Sequence, residues 1–447
     1  MRRQIFLINC FLLLLIFFAG VRTSYAQSNE AVLMSEYQRH FNLLDSLIFR
    51  TASEKLPVPE WNDSGFDKVT AQGDSLIGLK VDRQIKALKA ETGLLVSGQT
   101  YYRLDEGFGI DDEDALSRYD AKMQVELRWN FLSSSLIERK SRVGELKVKG
   151  DIERTAIERE YIQKLAERQE EVLRIEYDSL LAGILQLRIG NLKLLASTQQ
   201  YLVSDRSIST EELLKIMDEQ AVAERQLAAI PGKWPMVSQL SSPQGQTVKV
   251  DTLRFMEYVM ENDLQLHQAG LQMDLLRMQE ESTNYWRTLN LSPFVRYSYY
   301  VRPEMKNSAN VDAGMAFQIP LSSSQSKKRK ALESERMQMS FEMEKQKSLL
   351  AGNIRMLFVE LERANNGLRG ETARIASMKD YMQMRRGNYQ GHIGEYNVMQ
   401  RLKEYNHYLV CWENYYSYLY RRNSVLVQLQ AFLGGAGILE FCEIGIK

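Results

Sequence analysis

Chemistry requires reactive side chains at spacings that let them converge, and this chain offers few. Its four histidines, His40, His267, His392 and His407, contain no pair at the interval that sets two ligands on one helix face. His392 sits in a glycine-rich break and reads as an exposed turn residue. Gly107-Phe108-Gly109 could suggest a phosphate cradle, but such a loop must open a helix, and here it lies between two strand-like segments. Asp111-Asp112-Glu113-Asp114 carries charge enough to attract a divalent cation, although hydration of a loop is the simpler reading. Met337, Met339 and Met343 fall at helical spacing, where methionine is ordinarily core packing. Cys411 and Cys442 could form a bridge or stay as two buried thiols; the thiols are favoured because Cys411 lies inside a helical pattern. No catalytic residue, metal site or cofactor is assigned, and the chain is not expected to be an enzyme.

The elements that would position any function are more legible. Residues 1–26 have the form of a secretory signal, with Arg2 and Arg3 before the apolar run Phe11 to Phe18 and a Ser24-Tyr25-Ala26 cleavage site. Removing its three arginines, Arg2, Arg3 and Arg22, takes the balance of 57 basic and 57 acidic residues to a net charge of about −3. No basic excess remains for a nucleic-acid partner. Beyond the signal no apolar run is long enough for a spanning helix, so any membrane contact must be made by strands.

Strands are indicated by period-two alternation. From Lys122 to Phe131 the apolar set Met123, Val125, Leu127, Trp129, Phe131 alternates with Lys122, Gln124, Glu126, Arg128, Asn130. Val295, Tyr297, Tyr299 and Val301 alternate with Arg296, Ser298, Tyr300 and Arg302, and Val311, Ala313, Met315, Phe317, Ile319 with Asp312, Gly314, Ala316, Gln318. A weaker strand runs from Val96 to Leu104. These make two hairpins.

Helices follow each hairpin. Leu350, Ile354, Leu357, Leu361, Ala364, Leu368, Ile375, Met378 and Met382 keep a seven-residue period, as do Val398, Leu402, Tyr405, Leu409, Trp412, Tyr416 and Leu419. The break Gly387 to Gly394 between them predicts an antiparallel coiled-coil hairpin. The first half repeats the plan with Leu173, Tyr177, Leu180, Ile184, Leu187 and Leu194, a break near Ser204 to Ser209, and a shorter return helix ending at Ile230-Pro231-Gly232. Each descending helix would span roughly 100 Å. Leu132-Ser133-Ser134-Ser135 and Leu321-Ser322-Ser323-Ser324 mark the internal repeat at an offset of 189 residues. That alignment leaves the apolar faces one residue out of phase, with Pro320 marking a bulge or register shift.

Strands of this length and alternation suit an outer-membrane barrel wall, apolar toward lipid and charged toward a wet lumen lined by Arg103, Arg128, Arg296 and Arg302. Four strands cannot close, and open edges in hydrocarbon leave backbone groups unsatisfied, so copies must complete the ring. Three copies give twelve strands and room for a channel, where two give a filled interior.

In its order of elements the chain resembles the TolC family of outer-membrane factors. The local matches are Asn262-Asp263-Leu264-Gln265 before the third strand, Pro293 at its start, Ile319-Pro320-Leu321 at the end of the fourth, Tyr389-x-x-Gly391 at the turn, and Leu429 to Gly434 closing the last helix. The resemblance implies a mainly α fold with a membrane β-barrel: long antiparallel coiled-coil helices and four strands per protomer, in a homotrimer with a twelve-stranded barrel. It divides the chain into the signal 1–26, N-terminal helices 27–95, a first barrel hairpin 96–131, a first periplasmic hairpin 132–232, an equatorial segment with an ascending helix 233–290, a second barrel hairpin 291–321, a second periplasmic hairpin 322–434 and a tail 435–447. It further implies a passive exit duct across outer membrane and periplasm, serving efflux or type I secretion. Its partners would be outer-membrane lipid, a periplasmic adaptor (membrane fusion protein) and an inner-membrane pump of the resistance-nodulation-division or ABC type. Adaptor-facing tips would include Ser207, Ile208, Ser209, Gly391, Ile393, Gly394 and Tyr396, and spreading of the inner helices would open the end. One departure concerns two acidic residues lining the aperture in the best-known member, where this chain has Asn397 and Gln400. Glu395, Glu211 or Glu212 could supply a substitute ring, or could be solvated helix-start acids favoured by the macrodipole. The competing class is a periplasmic coiled-coil scaffold or adaptor whose strands form an ordinary sheet domain.

Overall fold

A computed structural model describes residues 35–48, 66–91, 93–102, 121–129, 137–204, 210–232, 234, 247–282, 290–301, 306–318, 324–390, 398–434 and 437–445. Helix α1 covers residues 35–48. There follow α2 (Phe66–Ala90), β1 (Leu94–Tyr102), β2 (Ala121–Trp129), α3 (Ile137–Ser204), α4 (Thr210–Ala229), β3 (Thr247–Val250), α5 (Thr252–Asn262), α6 (Leu264–Ser282), β4 (Asn290–Val301), β5 (Ser308–Gln318), α7 (Ser324–Gln390), α8 (Val398–Phe432), a 3-10 turn (Ile438–Phe441) and β6 (Cys442–Gly445).

The long helices α3 and α7 have 68 and 67 residues, each roughly 100 Å of rise. Such helices cannot rest on propensity; they are held by the seven-residue apolar stripes, which are the buried ones. Leu368, Ile375 and Met382 of α7 share one core with Leu402, Leu409, Trp412 and Leu419 of α8, while Ile354 and Leu361 join Val425, Leu426 and Leu429 in another. α8 packs against both α7 and α3. Its centre is aromatic, with the Trp412 ring edge-on to Tyr408 and Tyr415 at 6.4 and 5.4 Å. α7 and α8 approach closely at Gly367, where an added Cβ would stand 2.5 Å from Cδ1 of Tyr418.

Helix ends carry the expected chemistry. Asp263 closes α5 by donating its N–H to the Val259 carbonyl, and caps α6 by accepting from the N–H groups of Gln265 and Leu266 at 3.0 and 2.9 Å. α8 terminates beside Gly434, whose φ of +62° satisfies a left-handed stop.

Two sheets form. β1, β2, β4 and β5 make an antiparallel sheet in that order, with β2 joining the two hairpins by pairing with β4. The weaker strand starts at Leu94 rather than Val96. β3 and β6 pair antiparallel, a contact unforeseen in the sequence, where residues 435–447 read as a plain tail. This small sheet covers a second core, in which Phe255 meets Phe358 and Phe441 edge-on.

Candidate functional site

On its two central strands, β2 and β4, the four-stranded sheet exposes apolar side chains and covers polar ones. On β2, Met123, Val125, Leu127 and Trp129 are exposed, with Val125 at 50%, while Glu126 between them is only 5% exposed. Register carries the same split across the sheet. Leu127 stands between Val96 and Val295, Val125 between Gly98 and Tyr297, and Val295 beside Ala313. On the other face the row runs Ser97, Glu126, Arg296, Asp312. Glu126 accepts a guanidinium on each oxygen, Arg128 at 2.6 Å and Arg296 at 2.7 Å. The Arg296 guanidinium also lies over the Phe294 ring at 5.1 Å, and Lys122 over Tyr300 at 5.3 Å. The Glu126 charge is thus neutralised within this polar layer, while the exposed side chains of β2 and β4 are the apolar ones.

Among the described residues no strand pairs with the outer edges of β1 and β5. β1 is exposed along its whole length, and Val311 and Met315 on β5 are two-thirds exposed. A sheet with one apolar open face and two free edges is incomplete in water.

At the opposite end of the bundle the expected aperture residues separate. Glu211 is a surface acid paired with Lys215 one turn on, at 2.9 Å. Glu212 ties three helices together, accepting from Gln199 Nε2 of α3 at 3.0 Å and from Lys403 Nζ of α8 at 3.4 Å. The Gln199 hydrogen bond, and then Lys403, hold its carboxyl below the usual range. Gln400 donates to Glu404 at 3.4 Å. Arg128 and Arg296 share Glu126 as above. Ser207, Ile208, Ser209, Gly391, Ile393, Gly394, Glu395, Tyr396 and Asn397 lie outside the described residues, as do Arg103, Arg302, the signal, and the Pro320 segment where the two repeats change phase.

Sequence patterning did not reveal the polar ties just above these ends. Glu404, buried on α8, accepts from Arg385 Nη1 at 2.9 Å and Tyr381 hydroxyl at 3.3 Å, both on α7. Arg188 of α3 reaches Glu413 at 2.7 Å and Glu219 at 3.7 Å. α1 packs on this same region, with Tyr37, Phe41, Leu44, Leu47 and Ile48 buried. A helix was expected within residues 27–95; its place against α3 and α8 was not. Cys411 and Cys442 are unbridged, and burial pushes each thiol up to about 11. Among the described residues no three His, Cys, Asp or Glu side chains converge to hold a metal.

No family model and no curated protein sequence matches the chain. Solved structures do. The chain is similar to CusC, described with transmembrane channel formation, at 12% identity and a TM-score of 0.50, covering 86% of this chain and 98% of that one. It is also similar to the CmeC outer membrane channel of Campylobacter jejuni, at 9% identity and a TM-score of 0.51, covering 89% and 92%. At such identity the likeness speaks for the fold, which is that of these channel proteins.

Proposed function

We propose that this chain, having the TolC-type fold, is one subunit of a homotrimeric duct in the cell outer membrane that extends into the periplasm as a helical tunnel. The observation carrying this reading is the four-stranded sheet: on β2 and β4 apolar side chains are exposed and polar ones covered, and an edge stays open at each side. Hydrocarbon is the solvent that suits the exposed face. It would also make each unpaired edge amide or carbonyl cost several kcal/mol, which drives closure with further copies. Three copies supply twelve strands, enough to leave a lumen behind Glu126, Arg128 and Arg296.

Below the barrel, apolar side chains remain exposed on helices that would face neighbouring copies: Leu76 and Leu79 on α2, Leu214 and Met217 on α4, Met337 and Phe341 on α7. Their burial between protomers would add to closure of the ring. A secretory signal over residues 1–26 would deliver the chain to the periplasm. The turns around Ser207 to Ser209 and Gly391 to Tyr396 would receive a periplasmic adaptor, which links the duct to an inner-membrane pump for efflux or type I secretion. Passage is passive, and the pump supplies the energy.

Outer-membrane fractionation with heat-modifiable gel migration tests the reading. An SDS-resistant species of three protomers that collapses on boiling is the expected result. A water-soluble periplasmic monomer would instead establish the scaffold alternative.

A further inference from the structure

Helix α1 stands outside the repeat of strand hairpin and helical hairpin, yet it makes polar contacts with both helical hairpins. Thr198 on α3 lies six residues before that helix ends, and Arg401 three residues after α8 begins, so both contacts lie within roughly 10 Å of those helix ends. Toward the first hairpin, the Tyr37 hydroxyl donates to Thr198 Oγ1 at 2.7 Å, since that oxygen already donates to the Leu194 carbonyl. His40 Nε2 donates to Asn191 Oδ1 at 3.3 Å, and Asn191 Nδ2 in turn donates to the Leu402 carbonyl of α8.

Toward the second hairpin, Asp45 accepts from Arg401 Nη2 at 2.9 Å and from the Tyr405 hydroxyl, with Arg386 of α7 4.0 Å away. The Arg401 guanidinium also lies 4.3 Å over the Phe41 ring. The Asp45 and Arg401 side chains are 13% and 16% exposed, so separating them would strand two poorly solvated charges. Apolar packing alone could slide; this pair is satisfied at one spacing of α3, α7 and α8.

We propose that α1 is a clasp across the ends of the two helical hairpins, with Asp45 as its pin, and that α1 must release α8 before those ends spread. The proposal rests on the duct reading above. Closing is favoured because α1 holds α3 of the first hairpin and α8 of the second in one contact set. An opening motion that carries α8 away from α3 breaks either the Asp45 contacts or those of Tyr37 and His40.

Purified full-length protein in planar lipid bilayers tests this by single-channel recording. Asp45→Asn is expected to raise the open probability roughly tenfold, as when one charge-assisted hydrogen bond is withdrawn from the closed state. The exchange Asp45→Arg with Arg401→Asp should restore closure, which a general packing defect would not allow. Tyr37→Cys with Thr198→Cys, joined by a short bismaleimide, retains Asp45 and is expected to hold the pore in its low-conductance state, with the single-cysteine variants as controls. An unchanged open probability in Asp45→Asn, or cross-linked pores that open as freely as unlinked ones, overturns the clasp alone. A wild-type protein that forms no channel overturns the duct, and the clasp with it.

Discussion

Placing one cation on the apolar face of the sheet separates a lipid-facing wall from a water-facing one. Val125 is the fifth of nine residues in β2, and at about 3.3 Å per residue the strand is roughly 30 Å long. Tilted by about 40°, it would cross an apolar band of about 25 Å with Val125 near the bilayer midplane. Val125→Arg there is expected to cost about 2–4 kcal/mol per protomer, and about three times that for a trimer. On the opposite face Gln124→Arg enters the polar layer beside Glu126 and should cost less than Val125→Arg. Urea titration of the protein in lipid vesicles, with the trimer band read on unheated gels, gives the difference. The expected outcome is loss of SDS-resistant trimer from the outer membrane for Val125→Arg and its retention for Gln124→Arg. In a water-facing wall, where a half-exposed Val125 accepts arginine readily, both variants would behave alike; that result refutes the lipid assignment and the barrel with it.

Glu126→Gln withdraws the carboxylate shared by Arg128 and Arg296. Because both guanidinium groups keep a third or more of their exposure, the loss is expected to be about 1–2 kcal/mol, visible as a lower melting temperature of the trimer band and absent if the cluster is ornamental. Gly367→Ala sets a methyl against the Tyr418 ring and should destabilise by about 1–3 kcal/mol, whereas Gly370→Ala, with open space at its Cβ, should stabilise by about 0.5–1 kcal/mol; calorimetry showing the same sign for both would contradict the close approach of α7 and α8. His40 is held below its ordinary value of 6.5 by burial, only partly offset by its hydrogen bond to Asn191. Its neutral form therefore supports α1 packing above that value, and the support is lost as pH falls through the lower folded value. Relative to the intrinsic exchange rate at each pH, the protection of residues 35–48 should fall between pH 7 and pH 5 more in the wild type than in His40→Gln, and an equal fall would dismiss the histidine's part.

Periodicity is a local property, and the sequence by itself determined the elements that are periodic. The two-residue alternation of Lys122 to Trp129 and the seven-residue stripes ending at Met382 and Leu419 need no partner to be read, and each fell where the structure has a strand or a buried helix face. Asp263 as a cap and Gly434 as a stop are likewise written within four residues of where they act. Alternation alone, however, is symmetric: it separates two faces without saying which is buried. That choice fell to tertiary structure, which brought Arg128 and Arg296 onto Glu126 and left Val125 and Val295 exposed. The pairing of β2 with β4, of β3 with β6, and of Asp45 with Arg401 joins residues between about 170 and 360 positions apart, so no local pattern encodes them. The same holds for Glu212 with Lys403 and Arg188 with Glu413, polar pairs whose members look like ordinary surface charges until folded helices set them side by side.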